Sequence, residues 1–326
     1  MHHSGSHQPN RTRRQFSFLR LLAIAMGFAG IAWSATGQHV PGIKYADQPT
    51  GIELPAYVAT WPALKPYVVR LQASQGAAVL AELKQRALAP GVSDGELNLL
   101  AQLEWQHGEL DVAETAITRA VTLQPNQPAH AFQEAMISFA HLRRASGMMD
   151  RWKWQRRTRD AYQRAFDLDP RNPSARYYLA YSYMNTPAIG GGDKDKALKL
   201  AGDGVALGQD EFYVVRADAH RLRGEHEAAV ADYDRAIERR AFKLSGFLDA
   251  GADELKRQDI ARAKRYYEWA VYCRADSPGA HEGLGDYYVA VGNVPAAVRS
   301  YQTALQKDPR LYSAKEKLAR LDQKPR

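Results

Sequence analysis

The feature that most constrains this chain is a small residue that returns at a nearly constant interval. Ala113, Ala197, Ala229, Ala263 and Ala297, with Thr158 standing in for one copy, follow each other at 45, 39, 32, 34 and 34 residues. Most head the same short pattern, as in Ala229-x3-Tyr233-x2-Ala236, Ala263-x3-Tyr267-x2-Ala270 and Ala297-x3-Tyr301-x2-Ala304. Steps of three and four residues place these side chains on one face of a helix. Upstream of them lies a second set with its own small residue: Leu100-Ala101, Leu179-Ala180, Arg216-Ala217, Ala250-Gly251 and Leu284-Gly285. Each unit is therefore two helices whose backbones approach at small residues, while an aromatic or aliphatic side chain one turn along fills the gap to the next pair. A single helix pair cannot bury its apolar face, so stacked neighbours must supply the core. The pattern predicts an all-α chain of about six such units over residues 93–309. The two long gaps predict insertions, placed near 143–154 and 185–193.

Boundary signals agree with that frame. Ser93-x-x-Glu96 reads as a capping box, and Asn172-Pro173 and Ser277-Pro278 place a cap residue before a first-turn proline. Gly108, Gly224 and Gly292 each precede the second-helix alanine by five residues, where the turn belongs. Residues 62–92 read as N-terminal capping helices that match the repeat poorly. Residues 310–326 read as a solvating C-terminal helix, and the Pro- and Gly-rich stretch 38–61 as an extended linker.

The fullest copy, His281-x2-Leu284-Gly285-x2-Tyr288 followed by Ala297-x3-Tyr301-x2-Ala304 and Pro309, resembles the tetratricopeptide repeat, with His281 in place of the leading Trp. The resemblance implies an α-solenoid, a right-handed superhelix of antiparallel helix pairs whose first helices line a concave groove that binds other proteins. Carried onto the matched frame, the groove positions are Asn98, Gln102 and Trp105, then Phe132, Met136 and Phe139, then Tyr177, Tyr181 and Asn185, then Asp218 and Arg221. The groove is thus expected to be aromatic toward its N-terminal half and charged toward its C-terminal half. The Lys, Arg and Asn clamp with which some members of that family hold C-terminal carboxylates has no counterpart at these positions.

The N-terminus suggests an address. Residues 1–20 carry positive charge only, 21–35 read LLAIAMGFAGIAWSA, and small residues follow. This is the pattern of a secretory signal peptide over 1–37, with cleavage after Ser34 or Gly37. Thr12-Arg13-Arg14-Gln15-Phe16 also resembles the twin-arginine export motif. The expected destination is the periplasm or the outside of a bacterial cell. Formal net charge is +8, and half of that excess comes from the four arginines of residues 1–37. The near balance that remains speaks against a nucleic-acid partner. Cys273 is the sole cysteine, so the fold must hold without internal disulfides.

Residues 143–164 stand apart, with Arg143, Arg144, Arg151, Lys153, Arg156, Arg157, Arg159 and Arg164 set against Asp150 and Asp160. Met148, Met149, Trp152 and Trp154 are interleaved. Two readings stay open: a protruding lip built on Arg151, Trp152, Lys153, Trp154, Arg156 and Arg157 that meets an acidic partner or an anionic surface, or tryptophans packed on neighbouring helices under a solvated basic face. The glycines of Asn185–Asp193 supply a turn and not a phosphate loop, since no strand precedes them and Asp193 is placed to cap the next helix. His220, His226 and His281 show neither H-E-x-x-H spacing nor cysteine partners. The sequence therefore points to a protein-binding scaffold with no catalytic residues, metal or cofactor.

Overall fold

The computed structural model describes residues 58–241 and 245–322; the leader expected at 1–37 and most of the linker expected at 38–61 lie outside them. Among the described residues fifteen α-helices with defined bounds follow one another, and there is no strand. They form helical hairpins: α1 (Lys65–Gln72) with α2 (Gly76–Leu88), α3 (Asp94–His107) with α4 (Leu110–Leu123), and α5 (Pro128–Arg144) with α6 (Met148–Leu168). Next come α7 (Pro173–Asn185) with α8 (Lys194–Ala206), α9 (Phe212–Arg223) with α10 (His226–Glu238), α11 (Ser245–Lys256) with α12 (Ile260–Cys273), and α13 (Pro278–Ala290) with α14 (Val294–Lys307). The last helix, α15 (Tyr312–Asp322), packs on α14. Packing runs between chain neighbours and from first helix to first helix at α3–α5, α7–α9, α9–α11 and α11–α13. Among the described residues there is no single central core. Buried side chains form successive clusters along the stack, and Met136 packs against two of them. The architecture is a solenoid.

The local chemistry explains why the chain folds back where it does. Gly108, Gly224 and Gly292 end α3, α9 and α13 with φ of 86°, 80° and 73°, a left-handed conformation that costs glycine little. Ser93 and Glu96 exchange both bonds of the capping box, and the Asn172 side chain accepts from the Ser174 and Ala175 N–H groups. The small residues admit rings. A Cβ on Gly285 would come within 2.4 Å of the Tyr301 ring, and Cβ atoms on Gly251 and Gly283 within 2.8 and 2.3 Å of Tyr267. Tyr267 is therefore held between α11 and α13, one hairpin's ring in the next hairpin's notch.

Two expectations about segments need correction. The extra residues near 143–154 make no separate loop. They lengthen both helices of their hairpin, to 17 residues in α5 and 21 in α6, against 12 to 14 in the hairpins from α9 to α14. Trp61, assigned from sequence to the linker, belongs to the folded body: its indole stacks on His130 at 5.4 Å and donates to Asp94 at 2.8 Å. Gly95 makes room for it, since a Cβ there would lie 2.7 Å from the Trp61 ring.

Candidate partner-binding groove

The residues expected to line the groove divide by burial. Asn98, Gln102, Trp105, Tyr181, Asn185 and Asp218 are all buried, at most 9% exposed, so they hold helices together and do not offer an open surface. The repeat frame specifies which helix face a residue occupies but not how closely the next hairpin covers that face. Asn98 meets the ring of His130, its amide 2.9 Å from Nδ1, while the His130 Nε2 lies 3.0 Å from Asp94. Trp61 closes over this pair. Burial keeps His130 below the ordinary imidazole range, with Asp94 acting in the opposite sense. Met136 turns inward and accepts from the Tyr162 hydroxyl at 3.1 Å. Phe139 packs beneath the long helix α6, with Gln155, Thr158 and Tyr162 around it.

Half-buried rings remain at the surface between the second and third repeat hairpins. Phe132 of α5 lies 5.8 Å from Tyr178 of α7, Tyr178 lies 5.2 Å from Tyr177, and Tyr177 lies 4.7 Å from Tyr181. These centroid distances fall within the range of favourable ring pairs. Beyond Tyr181 the row becomes charged. The Tyr181 hydroxyl donates to Asp218 at 2.6 Å, and Tyr233 donates to the same carboxylate at 2.5 Å. Burial pushes the Asp218 carboxyl above its usual value, against the pull of Arg221 and the two hydroxyls. Arg221 in turn reaches Asp249 and Asp253 of α11, both at 3.2 Å. Tyr181, Asp218 and Arg221 therefore tie three hairpins together.

A cleft of about 340 Å³ opens beside Arg221 between α10 and α11. His226, Lys256 and Arg257 join Arg221 on its walls, where Asp253 accepts from both Arg221 and Lys256, Glu254 faces His226, and Arg257 is exposed. The cleft was not foreseen. Its residues are spread over separate helices at no recognisable spacing.

The basic stretch divides between its two readings. Trp154 is stacked on His141 at 4.1 Å with the planes 5° apart. Arg157 is paired with Glu114 and Glu134, and Arg164 with Glu134. Arg159 donates to the Gly190 carbonyl at 2.6 Å, and Gln155 donates to Thr186 at 2.6 Å. The long helix α6 thus braces the turn that follows α7, and the two insertions support each other. Arg151, Trp152, Lys153 and Arg156 remain at least partly exposed.

Asp111, Glu114 and His141 bring ligand atoms within 4.8 Å of one another, but Arg157 already holds Glu114. We read that cluster as part of the bracing. The Cys273 thiol, half-buried, is pushed up to about 11 by burial, which keeps it protonated and unreactive at neutral pH.

Tetratricopeptide-repeat family models match residues 248–312 and 210–242. A tetratricopeptide repeat protein from Parabacteroides merdae superposes with a TM-score of 0.57 at 12% identity, covering 82% of this chain and 98% of that one. The Cut9–Hcn1 hetero-tetramer of the APC/C gives 0.55 at 12% identity, covering 82% of this chain and 52% of its own. PilW, a type IV pilus biogenesis factor, gives 0.53 at 12% identity, covering 71% of this chain and 100% of its own. No curated protein matches the sequence. The chain is an all-α solenoid of tetratricopeptide type, and at such identities the structural likenesses speak to fold alone.

Proposed function

We propose that the protein is a non-catalytic scaffold that holds a segment of another protein along its first helices, from Phe132 across Tyr177 and Tyr178 to the cleft beside Arg221. The contiguous row of half-buried rings carries this reading. Aromatic side chains at a surface provide large contact area at little entropic cost, and they recur among the residues that dominate protein interfaces. Exposed Arg257 on the wall of the cleft, beside Lys256, offers positive charge to an acidic side chain on the partner. The bound segment therefore carries apolar side chains at one end and at least one carboxylate at the other.

Export is part of the same proposal. The leader expected at residues 1–37 would deliver the scaffold to the cell envelope, where the pilus role in PilW's description offers one parallel for a fold of this kind. Cell fractionation decides the address: protein that stays in the cytosolic fraction with the leader intact ends it.

A photo-crosslinking residue at Tyr177 or Lys256 should capture the partner, and the same residue at exposed Gln302 on α14 should not. Reversing the cleft charge with Lys256→Glu and Arg257→Glu should weaken capture at both positions. Equal capture at Gln302, or indifference to charge reversal, would remove the groove from the function.

A further inference from the structure

The lengthened hairpin has a free end, and its chemistry differs from that of the groove. The helix α6 is 21 residues long where the second helices from α10 to α14 have 13 or 14, so its first turns overhang the stack by roughly 10 Å at 1.5 Å per residue. Those turns are not covered. Met148 is 67% exposed, Met149 73% and Trp152 49%. Spacings of three and four residues set both methionines beside the indole on one face. Near them in sequence come Arg143, Arg144, Arg151, Lys153 and Arg156, of which Arg144 donates to the Gly108 carbonyl at 2.8 Å, with Asp150 as the sole acid between 143 and 156.

We propose that this tip docks the protein onto an anionic lipid surface, with Met148, Met149 and Trp152 entering the boundary between headgroups and acyl chains. The shape favours lipid. The apolar residues crown a projecting helix end and are largely exposed, so burying them requires a medium that yields around them. Nucleic acid would satisfy the bases but leave both methionines in water. Anionic lipid satisfies both sets: bases near a negatively charged bilayer are drawn to it, long basic side chains reach back to the headgroups, and indoles favour the interface. The tip touches the membrane without spanning it, since no helix among the described residues is long and apolar enough to cross. The tip shares no residue with the row from Phe132 to Arg221, so the inference stands independently of the groove.

The test is sedimentation of the full chain with phosphatidylcholine vesicles, with or without phosphatidylglycerol. Wild type should bind the anionic vesicles more tightly. Lys153→Gln with Arg156→Gln should weaken binding roughly thirtyfold, about one kilocalorie per removed base near the surface. Met148→Ser, Met149→Ser and Trp152→Ser together should weaken it at least as much while the helical circular dichroism is unchanged. Because the apolar run at 21–35 can itself adsorb, a second readout isolates the tip: brominated lipid should quench the fluorescence lost on Trp152→Phe. Absence of that quenching, equal binding by the triple variant, or no preference for anionic vesicles would each overturn the proposal. So would capture of an acidic protein by the tip without vesicle binding. Substitutions at Phe132 and Tyr177 should leave vesicle binding unchanged.

Discussion

The two halves of the solenoid solve the same stacking problem with different materials. From α9 to α14 the hairpins are of near-uniform length and interlock mainly through rings placed in notches, as Tyr267 is between Gly251 and Gly283, with Arg221 adding a polar tie from α9 to α11. From α3 to α8 the hairpins differ in length and are joined by polar braces, such as Arg159 on the Gly190 carbonyl and Asn98 on His130. The family models match in the regular half. Stacking needs only that each apolar face be covered, so notch and brace both suffice. They should fail differently.

The largest difference should appear on removing a ring. Tyr267→Ala deletes a side chain that is 2% exposed and wedged between two hairpins, and should cost about 3–5 kcal/mol in urea unfolding. Tyr162→Ala, at a site equally buried, should cost less, because Phe132 and Tyr178 lie 5.9 and 5.3 Å from the lost ring and can settle into its space. Equal costs would break the distinction between a rigid notch and an adaptable cluster.

A brace should fail locally. Arg159→Ala removes the guanidinium that supports the turn after α7 and should cost about 1–3 kcal/mol, the range for stranding a partly buried polar partner. Hydrogen exchange should then quicken across residues 186–193 and stay unchanged in α11 to α14. Uniform quickening would mean that the braced half is as cooperative as the notched one.

Much of this contrast can be read from the sequence, within limits set by what spacing encodes. The small residues at 229, 263 and 297, the turn glycines and the caps at Asn172 and Ser277 act within one or two helices, so the chain itself displays them. Residues 143–154 were harder, because an added stretch rich in Arg, Trp and Met suits a longer helix as well as a projecting loop. The burial of Asn98, Tyr181 and Asp218 was out of reach for another reason. It depends on Trp61 and His130, which arrive from other units and follow no repeat spacing, and on Tyr233, whose place in the repeat is visible but whose bond to Asp218 no spacing encodes.

Acid should separate the halves by sign. Burial holds both His130 and His141, on α5, below their ordinary range. As the pH falls below about 6.5 the unfolded chain binds more protons than the folded one, so the stability these residues give at neutral pH is lost there. Asp218 and Asp249 are instead raised by burial. Their contribution is present at low pH and is lost as the pH rises through their folded values. Lowering the pH from 7 to 5 should therefore speed exchange, corrected for its intrinsic rate, in α5 before α9 or α11. His130→Gln should flatten that response. Simultaneous loosening of both halves would show that the imidazoles do not govern it.

The smallest effect probes the regular half's own irregularity. Gln258 stands 34 residues after Gly224 and 34 before Gly292, at the same turn, yet holds φ at 64° with a side chain attached. A non-glycine residue in the left-handed region bears a steric cost of about 1–2 kcal/mol that glycine avoids, and glycine's extra freedom in the unfolded chain returns part of it. Gln258→Gly should accordingly raise stability by about 0.5–1 kcal/mol, whereas Gly224→Gln should lower it by a similar amount. If Gln258→Gly destabilises, the side chain makes contacts worth more than the strain, and this turn would join Arg221 as a second brace within the regular half.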